Sequence, residues 1–556
     1  MHRESQLAQA IAHSEEQPAP CPACTVTAHD GRPVPLRLLA AVAKRILARA
    51  ALFLSLLMGF CCGVSQPVSA QPSFSVPPYL QNVTETSIVV CWQSDEASDG
   101  TIEYWVEGSS EIGILSADIA ERHEALLADL QPGTAYRYCV KIPAEGAQTS
   151  YSGTFLTAPT EETPFSFVVY GDTRGDGANH RAVVAAIRSG SPAFVIHTGD
   201  LVSYGDSNYF WGSFWGTVGA ENGEESLVAN SPFYPVLGNH EYMATGGTYK
   251  DEAITKFQSY FVLPENGLET EHPEWTDRFY SFRYGPVYVI VLDVNNDSDP
   301  AYDLNNVLTV GPPDIHPGSP QYEWLLNQLK AARECAFTFV CFHHSPYSTG
   351  HYGPGASMKM RFLDPLFRQH GVDAVFTSHD HLYERCETYA EDYRIVYFVA
   401  GAGGAPLYER ADGWDEPGSW IWDEANQTFY TKSFDNTSHS FIKVDMAPLG
   451  GGAWEATFLA TRPDGEVFDS IQIRRPWGHI DFGDSVKLAF ESTAGRTYQA
   501  EYSNGLPEPS MTWQAFGAPV LAVGPFVSFT DDGTETGIPP TDSSVSHRFY
   551  RILELP

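Results

Sequence analysis

The chain has 556 residues, of which 43% are hydrophobic and 13% aromatic, so it is long enough to form several domains with buried cores. Its formal net charge is −36 at pH 7, with 69 acidic and 33 basic side chains. A chain this acidic repels nucleic acid and anionic membrane surfaces, so neither is expected as a partner. Any phosphate that it binds must meet local cations.

The first 70 residues have the pattern of a targeting extension. Basic residues between Arg37 and Arg49 precede the apolar stretch 51–64, and Val68-Ser69-Ala70 offers small side chains for cleavage. The apolar stretch is short for a membrane span. The sequence therefore predicts an N-terminal extension with a signal peptide at 1–70, no transmembrane anchor, and a secreted protein that is extracellular or periplasmic.

Residues 71–160 consist of short alternating strands without a helical period, which predicts a β-sandwich. The stretch LQPGTAYRY resembles the fibronectin type III corner, in which Tyr136 closes the turn. PYLQNVTETSIVVCW resembles the N-terminal domain of purple acid phosphatases. We expect Cys91 and Cys139 not to pair, because the alternation along their strands turns both outward.

The pattern changes over residues 161–476, where apolar strands alternate with helical stretches at 179–190 and 319–332. Ser319 is the expected N-cap of the second helix, with Pro320 at its first position. A hairpin is expected around Gly285-Pro286, so the sheets are mixed. Residues 477–556 again show strands and turns, which predicts a small C-terminal all-β module with a cell-surface or extracellular partner.

Five apolar strands of the middle region end directly before reactive side chains. Strand ends in an α/β fold meet at one edge, so we expect these side chains to converge. The set contains two carboxylates, one carboxamide and three imidazoles, which suit a pair of Fe, Mn or Zn ions rather than a thiolate zinc centre. Its members are Asp172, Asp200, Asn239, His344, His379 and His381.

The series GD, GD, GNHE, HHSP and SHDH resembles the calcineurin-like metallophosphoesterases, most closely the purple acid phosphatase branch. The resemblance implies an α/β (α+β) four-layer sandwich of mixed β-sheets flanked by helices, after a fibronectin III-like β-sandwich. It also implies a role for each ligand: Asp172 and His381 on one metal ion, Asn239, His344 and His379 on the other, and Asp200 bridging the two.

The activity implied by the resemblance is hydrolysis of small phosphate monoesters, as in acid phosphatases, with a metal-bound hydroxide attacking phosphorus in line. His240 is the expected proton donor to the leaving alcohol. Arg174 and His351 are placed to contact phosphate oxygens. His343 is expected to support the ligands rather than to bind a metal ion. A phosphodiesterase or nucleotidase with the same centre remains an alternative, as does a non-catalytic extracellular binding protein.

The chain departs from this family at one position. Purple acid phosphatases carry Asp-x-x-Tyr, in which the tyrosine is the third residue after the aspartate and its tyrosinate binds ferric iron. Here Tyr204 is the fourth residue after Asp200. The side chain of Tyr204 therefore starts about 100° and 1.5 Å from the family position if the segment is helical. We expect the first ion to lack a tyrosinate. His180 is then either a substitute ligand or a helix-surface residue.

Overall fold

The computed structural model describes most of the chain beyond the N-terminal extension. The described residues are 72–144, 147–160, 162–175, 177–220, 223, 225–295, 308, 311–352, 358–390, 393–410, 422–424, 427–450, 452–476, 486–491, 495–503, 514–522, 526–531, 533–534, 536 and 549–555. The expected signal peptide lies outside them. The chain divides into two units, 1–70 and 71–556, and all elements below belong to the second. No helix within the described ranges is long and apolar enough to cross a membrane.

The N-terminal region is built of strands, as predicted. Its strands are β1 (Phe74–Gln81), β2 (Ile88–Val106), β3 (Gly113–Leu127), β4 (Ala135–Ala144) and β5 (Ala147–Leu156). They pair antiparallel in the order β1-β2-β4-β5, and β3 also pairs with the long strand β2. The backbone N–H of Gln131 donates to the Tyr136 hydroxyl at 2.9 Å, which is the contact expected of a tyrosine corner.

The two cysteines of this sheet do not pair, since Cys91 and Cys139 are both free. The expectation that Cys91 points to solvent is wrong, because its side chain is fully buried. Tyr79 lies opposite Cys91 on β1, and its ring centroid is 4.6 Å from that of Trp215. Strand alternation gives the face of a side chain but not whether a second layer covers that face.

The middle region alternates strands and helices. In chain order the elements are β6 (Phe165–Tyr170), α1 (Gly177–Ser189), β7 (Val195–His197), α2 (Asn208–Val218), β8 (Phe233–Pro235), α3 (Asn239–Tyr242), β9 (Met243–Ala244), β10 (Thr248–Tyr249), α4 (Asp251–Tyr260), β11 (Tyr280–Tyr284), β12 (Val287–Val291), α5 (Pro320–Ala331), β13 (Phe337–His344), α6 (Asp364–His370), β14 (Ala374–Ser378), β15 (Tyr383–Ala390), β16 (Tyr393–Ala400), β17 (Trp422–Glu424), β18 (Gln427–Asp435), β19 (Phe441–Gly450), β20 (Ala453–Thr461) and β21 (Val467–Pro476). Short 3-10 turns lie at Pro273–Trp275, Ala332–Glu334 and Met358–Leu363.

Two mixed sheets carry the strand ends of interest. One has the order β21-β20-β19-β6-β7-β8, in which β6, β7 and β8 are parallel. The other has the order β11-β12-β13-β14-β16-β15-β18-β17, in which β12, β13, β14 and β16 are parallel. Their inner faces share a core, where the rings of Phe167 and Phe339 lie 5.9 Å apart. The fold is the expected α/β (α+β) sandwich of mixed sheets with helices.

Local sequence signals account for the predicted helix and hairpin. The Ser319 side chain accepts a hydrogen bond from the backbone N–H of Tyr322 at 3.3 Å, which caps α5 directly before Pro320. Strands β11 and β12 are antiparallel and turn at Gly285-Pro286, where Gly285 has a φ of 54°. Both features confirm the predictions from sequence.

The described residues of the C-terminal region form strands and turns, as predicted. Its strands are β22 (Val486–Glu491), β23 (Thr497–Ser503), β24 (Gln514–Leu521), β25 (Phe526–Asp531) and β26 (Phe549–Leu555). They form a pair, β22-β25, and a three-stranded sheet, β24-β23-β26. Tyr498, Tyr502, Phe516 and Phe529 form a separate small core there.

Candidate metal centre

Side chains that follow strands of both sheets come together in two clusters. Within each cluster the potential ligand atoms lie within 4.8 Å of one another. The first cluster is Asp172, Asp200 and His381, and the second is His343, His344 and His379. The strand endings therefore converge as the carboxyl ends of strands in α/β sheets do.

The carboxylates of Asp172 and Asp200 connect the two clusters. Asp200 Oδ1 lies 3.3 Å from His343 Nε2. Asp172 Oδ2 accepts a hydrogen bond from the backbone N–H of His379 at 2.8 Å, and its Oδ1 lies 3.6 Å from His381 Nε2. The clusters are thus two halves of one polar site.

The short helix α3 brings Asn239 and His240 to the same site. The backbone N–H of His240 donates to Asp200 Oδ1 at 3.1 Å. A Cβ on Gly238 would lie 2.3 Å from Asp200 Oδ1, so only glycine fits there. His240 Nδ1 donates to the Ser203 carbonyl at 2.7 Å, and Nε2 lies 3.7 Å from Asp200 Oδ2. The Nε2 atom of His240 therefore faces the carboxylates of the site.

Three residues of the site, Asp172, Asp200 and His379, have backbone φ angles in the left-handed region. The φ angles are 54° at Asp172, 58° at Asp200 and 71° at His379. Such conformations are uncommon for residues other than glycine, and they concentrate at functional sites. The surrounding backbone holds them in place, because Asp172 N–H donates to the Gly199 carbonyl at 3.0 Å.

The buried polar atoms of the site fit metal ions. Among the described residues, no hydrogen-bond donor reaches Asp172 Oδ1 or Asn239 Oδ1, although both atoms are buried. Burial raises the pKa of Asp172 well above its usual range, and the neighbouring Asp200 raises it further. Two buried carboxylates this close need cations to remain ionised together. Imidazole, carboxylate and carboxamide donors suit Fe, Mn or Zn.

Comparison with known proteins places this region in a family. Residues 165–383 match the model of the calcineurin-like phosphoesterase family. This part of the chain is a calcineurin-like phosphoesterase domain. Purple acid phosphatase 13 of Arabidopsis thaliana is 28% identical over 405 residues, which cover 64% of this chain and 67% of that protein. An uncharacterized protein of Mycobacterium tuberculosis is 30% identical over 287 residues, which cover 47% of this chain and 50% of that protein.

A solved structure shares the fold. Purple acid phosphatase PPD1 from yellow lupin has a TM-score of 0.55 and 18% sequence identity, over 73% of this chain and 75% of that one. The chain is therefore similar to purple acid phosphatases in fold, while it spans only about half the length of the mycobacterial relative.

Glu241 is a central residue of the phosphoesterase domain that the sequence analysis did not assign. Its buried carboxylate accepts hydrogen bonds from the backbone N–H groups of Asp200 at 2.9 Å, Leu201 at 2.8 Å and Gly238 at 2.8 Å. Burial raises the pKa of Glu241 to about 8, with a contribution from the charge of Asp200. One side chain thus connects the loops that carry Asp200 and Asn239.

A glycine-rich loop at 401–404, also unassigned from sequence, supports Asp172 from the other side. A Cβ on Gly401 would lie 2.6 Å from Asp172 Oδ2 and 2.1 Å from the Asp380 carbonyl. The backbone N–H of Gly403 donates to the Gly171 carbonyl at 2.9 Å. The pattern GAGG after β16 is the signal that would have pointed to a close backbone approach.

Arg174 lies inside the site and His351 at its outer edge. Arg174 Nε donates to Asp200 Oδ2 at 3.1 Å, and its NH2 group donates to His381 Nε2 at 3.2 Å and to the Tyr408 hydroxyl at 3.1 Å. The ring of His351 is exposed and lies 5.2 Å from that of Tyr408.

The Tyr408 ring stacks on His381 at 3.9 Å. Tyr352 stacks on His379 at 4.2 Å. Neither tyrosine was identified from the sequence.

His180 and Tyr204 do not join the two clusters. The expectation that His180 is a helix-surface residue is wrong. His180 is 3% exposed, and its ring packs with Tyr170 and Phe214. Its spacing with Val183, Val184 and Ile187, all buried, is the periodicity of a buried helix face. The ring of Tyr204 packs against Phe210 at 5.6 Å.

Proposed function

We propose that this protein is a dinuclear-metal phosphoesterase that hydrolyses small phosphate monoesters, as acid phosphatases do. The observation that carries the proposal is the convergence of carboxylate and imidazole groups at the strand ends of a calcineurin-like phosphoesterase domain. Asp172 Oδ1 and Asn239 Oδ1 are buried there without hydrogen-bond donors in the described structure. Such atoms are costly to bury unless a cation binds them.

The ligand roles follow the two clusters. Asp172 and His381 hold one ion, Asn239, His344 and His379 hold the second, and Asp200 lies between them. When bound, such a pair of ions lowers the pKa of water and neutralises charge on the phosphoryl oxygens. This donor set suits Fe, Mn or Zn ions.

His240 is the proposed proton donor to the leaving alcohol. Its Nδ1 is held by the Ser203 carbonyl, so Nε2 is the atom that can exchange a proton at the centre. The side chain is 14% exposed, and Nε2 lies beside the carboxylate of Asp200. Nε2 therefore delivers a proton to the ester oxygen as the bond to phosphorus breaks.

Arg174 and His351 are the proposed contacts for the phosphate group. The guanidinium of Arg174 already bonds one carboxylate of the centre, and it presents further N–H donors toward the same space. His351 lies at the exposed edge, where a substrate enters. In a chain of net charge −36, these groups and the ions supply the local cations that an anionic substrate requires.

The protein is proposed to act outside the cytoplasm, after removal of the 1–70 extension. Its parts are then a fibronectin III-like domain at 71–160, the catalytic domain at 161–476 and a β module at 477–556. The module's partner, in this proposal, is at the cell surface or in the medium.

The test compares two esters and two variants of the full chain. We expect p-nitrophenyl phosphate to be hydrolysed at least about tenfold faster than bis(p-nitrophenyl) phosphate, a difference of about 1.4 kcal/mol in barrier. Asp200→Asn should lose both metal and activity, whereas the exposed Asp118→Asn should retain them. Hydrolysis of the diester alone would favour a phosphodiesterase, and inactivity of metal-loaded wild type on both esters would contradict the proposal.

A further inference from the structure

His343 is a buried histidine at the end of β13 whose surroundings resemble those of a ligand. Its side chain is 0% exposed. Nδ1 lies 2.9 Å from the Thr198 carbonyl oxygen and 2.9 Å from Ser378 Oγ. Ser378 Oγ itself donates to the same carbonyl at 2.6 Å. The ring is therefore fixed in orientation by two neighbouring strand ends.

These hydrogen bonds determine which nitrogen of His343 carries the proton. A carbonyl oxygen only accepts, so Nδ1 is the donor and carries hydrogen. In the neutral ring Nε2 then presents a lone pair. Within the described part of the chain Nε2 has no hydrogen-bond partner, and it lies 3.3 Å from Asp200 Oδ1. A lone pair beside a buried carboxylate is repulsive unless a cation lies between them.

His381, which the proposed function assigns to a metal ion, is held in a similar way at Nδ1, while its Nε2 accepts a hydrogen bond from Arg174 at 3.2 Å. Its Nδ1 donates to the Pro406 carbonyl at 2.8 Å, and its Nε2 lies 3.6 Å from Asp172 Oδ1. Metal-binding histidines almost always donate their second ring N–H to a carbonyl or carboxylate in this way. His343 and His381 thus share two features: Nδ1 faces a backbone carbonyl oxygen, and Nε2 lies beside one carboxylate of the centre.

The spacing around His343 also fits an ion. Potential ligand atoms of His343, His344 and His379 lie within 4.8 Å of one another. Neighbouring ligands of one ion, each about 2.1 Å from it, are separated by roughly 3–4 Å. The ring centroid of His343 lies 4.8 Å from that of His344 and 5.1 Å from that of His379.

We propose that His343 binds the second metal ion through Nε2, together with His344 and His379. This inference rests on the proposed dinuclear centre and corrects the expectation that His343 only supports other ligands. The centre then has four imidazole ligands, and three of them lie on one ion. An ion with three imidazole ligands is held more tightly than one with two.

The direct test is proton NMR of the full chain loaded with two Co(II) ions. Each imidazole bound to Co(II) gives a strongly shifted resonance from its other ring N–H. We expect four such exchangeable resonances, from His343, His344, His379 and His381. Uptake of two ions with only three resonances contradicts the inference but leaves the proposed function intact. Uptake of fewer than two ions contradicts both.

Two variants assign the fourth resonance. His343→Gln should lose one shifted resonance and weaken binding of one Co(II) ion at least about tenfold. His180→Gln, which also removes a buried histidine but one outside both clusters, should keep all resonances and both affinities. If folded His343→Gln keeps every shifted resonance, the inference is wrong. If that variant does not fold, the count in wild-type protein decides.

Discussion

His240 has the two properties required of a proton donor, a fixed Nδ1 and an Nε2 that faces the centre. We predict that His240→Asn keeps its metal content while kcat falls by about 10²–10⁴-fold. The loss should be larger for alkyl phosphates than for p-nitrophenyl phosphate, because a good leaving group departs without a proton.

Two measurements check this role of His240: metal analysis of the purified variant and kcat on both esters. His272→Asn, in a partly exposed histidine stacked on Trp275 and outside both clusters, is the control and should change neither. Equal losses on both esters would count against His240 as the donor.

Tyr204 bears on the colour of the protein. Its ring packs against Phe210, and its position in the chain is one residue beyond that of the family tyrosinate. We therefore predict that iron-loaded protein is pale, with no strong visible charge-transfer band. An absorption spectrum tests this, and a strong band that disappears in Tyr204→Phe would show the prediction to be wrong.

At the scale of elements, Glu241 holds two strand-end loops in register. Glutamine in its place keeps one acceptor oxygen but turns an amide N–H toward backbone N–H groups. We predict that Glu241→Gln lowers the free energy of unfolding by about 1–3 kcal/mol. Metal affinity should fall roughly 10–100-fold, because the loops carrying Asp200 and Asn239 shift.

Denaturant unfolding and metal titration measure these two effects. Glu252→Gln, an exposed acidic residue of α4, is the matched control. Unchanged metal affinity in Glu241→Gln would mean that the loops keep their positions without this carboxylate.

A part-buried ion pair ties β15 to β21 shortly after His379 and His381. Asp469 Oδ2 accepts from Arg385 Nε at 2.7 Å and from the Tyr383 hydroxyl at 2.7 Å, and its Oδ1 accepts from Arg385 NH2 at 3.0 Å. We predict that Asp469→Asn costs roughly 2–4 kcal/mol of stability, since it leaves a buried guanidinium without a full partner.

The stability contributed by Asp469 depends on pH. Burial raises its pKa, but hydrogen bonds from Arg385 and Tyr383 outweigh burial and hold the pKa below the usual value. The contribution is therefore complete above the unfolded-state value of about 3.9 and disappears as pH falls through the folded value. Chemical denaturation of wild type and Asp469→Asn should show a difference in the free energy of unfolding at neutral pH but not at acidic pH. Asp445→Asn, which changes a half-exposed carboxylate, is the control.

At the scale of the whole molecule, the N-terminal sheet and the phosphoesterase domain share one core. Gln81 Nε2 donates to the Phe233 carbonyl at 2.7 Å, and Gln81 Oε1 accepts from the backbone N–H of Val262 at 2.7 Å. Strand β8, which leads to Asn239, is therefore braced by residues of β1. The N-terminal sheet is therefore packed directly against the strand that precedes Asn239.

The mixed sheets and the converging strand ends could be predicted from the sequence, because both depend on local apolar runs and on the residues that end them. It did not predict the burial of Cys91 or the contacts of Glu241 and Gly401, because these depend on which distant segments pack together. The burial of His180 is indicated by its spacing with Val183, Val184 and Ile187, which is the periodicity of a buried helix face.

In the proposed function, one metal ion lies at each of the two clusters of the phosphoesterase domain. Anomalous diffraction from crystals of metal-loaded protein, measured at the absorption edge of each metal found in it, tests this directly. We predict two peaks about 3.5–4 Å apart, one beside Asp172 and His381 and the other beside His344 and His379, with Asp200 in contact with both. A single peak, or none at these side chains, would contradict the dinuclear centre.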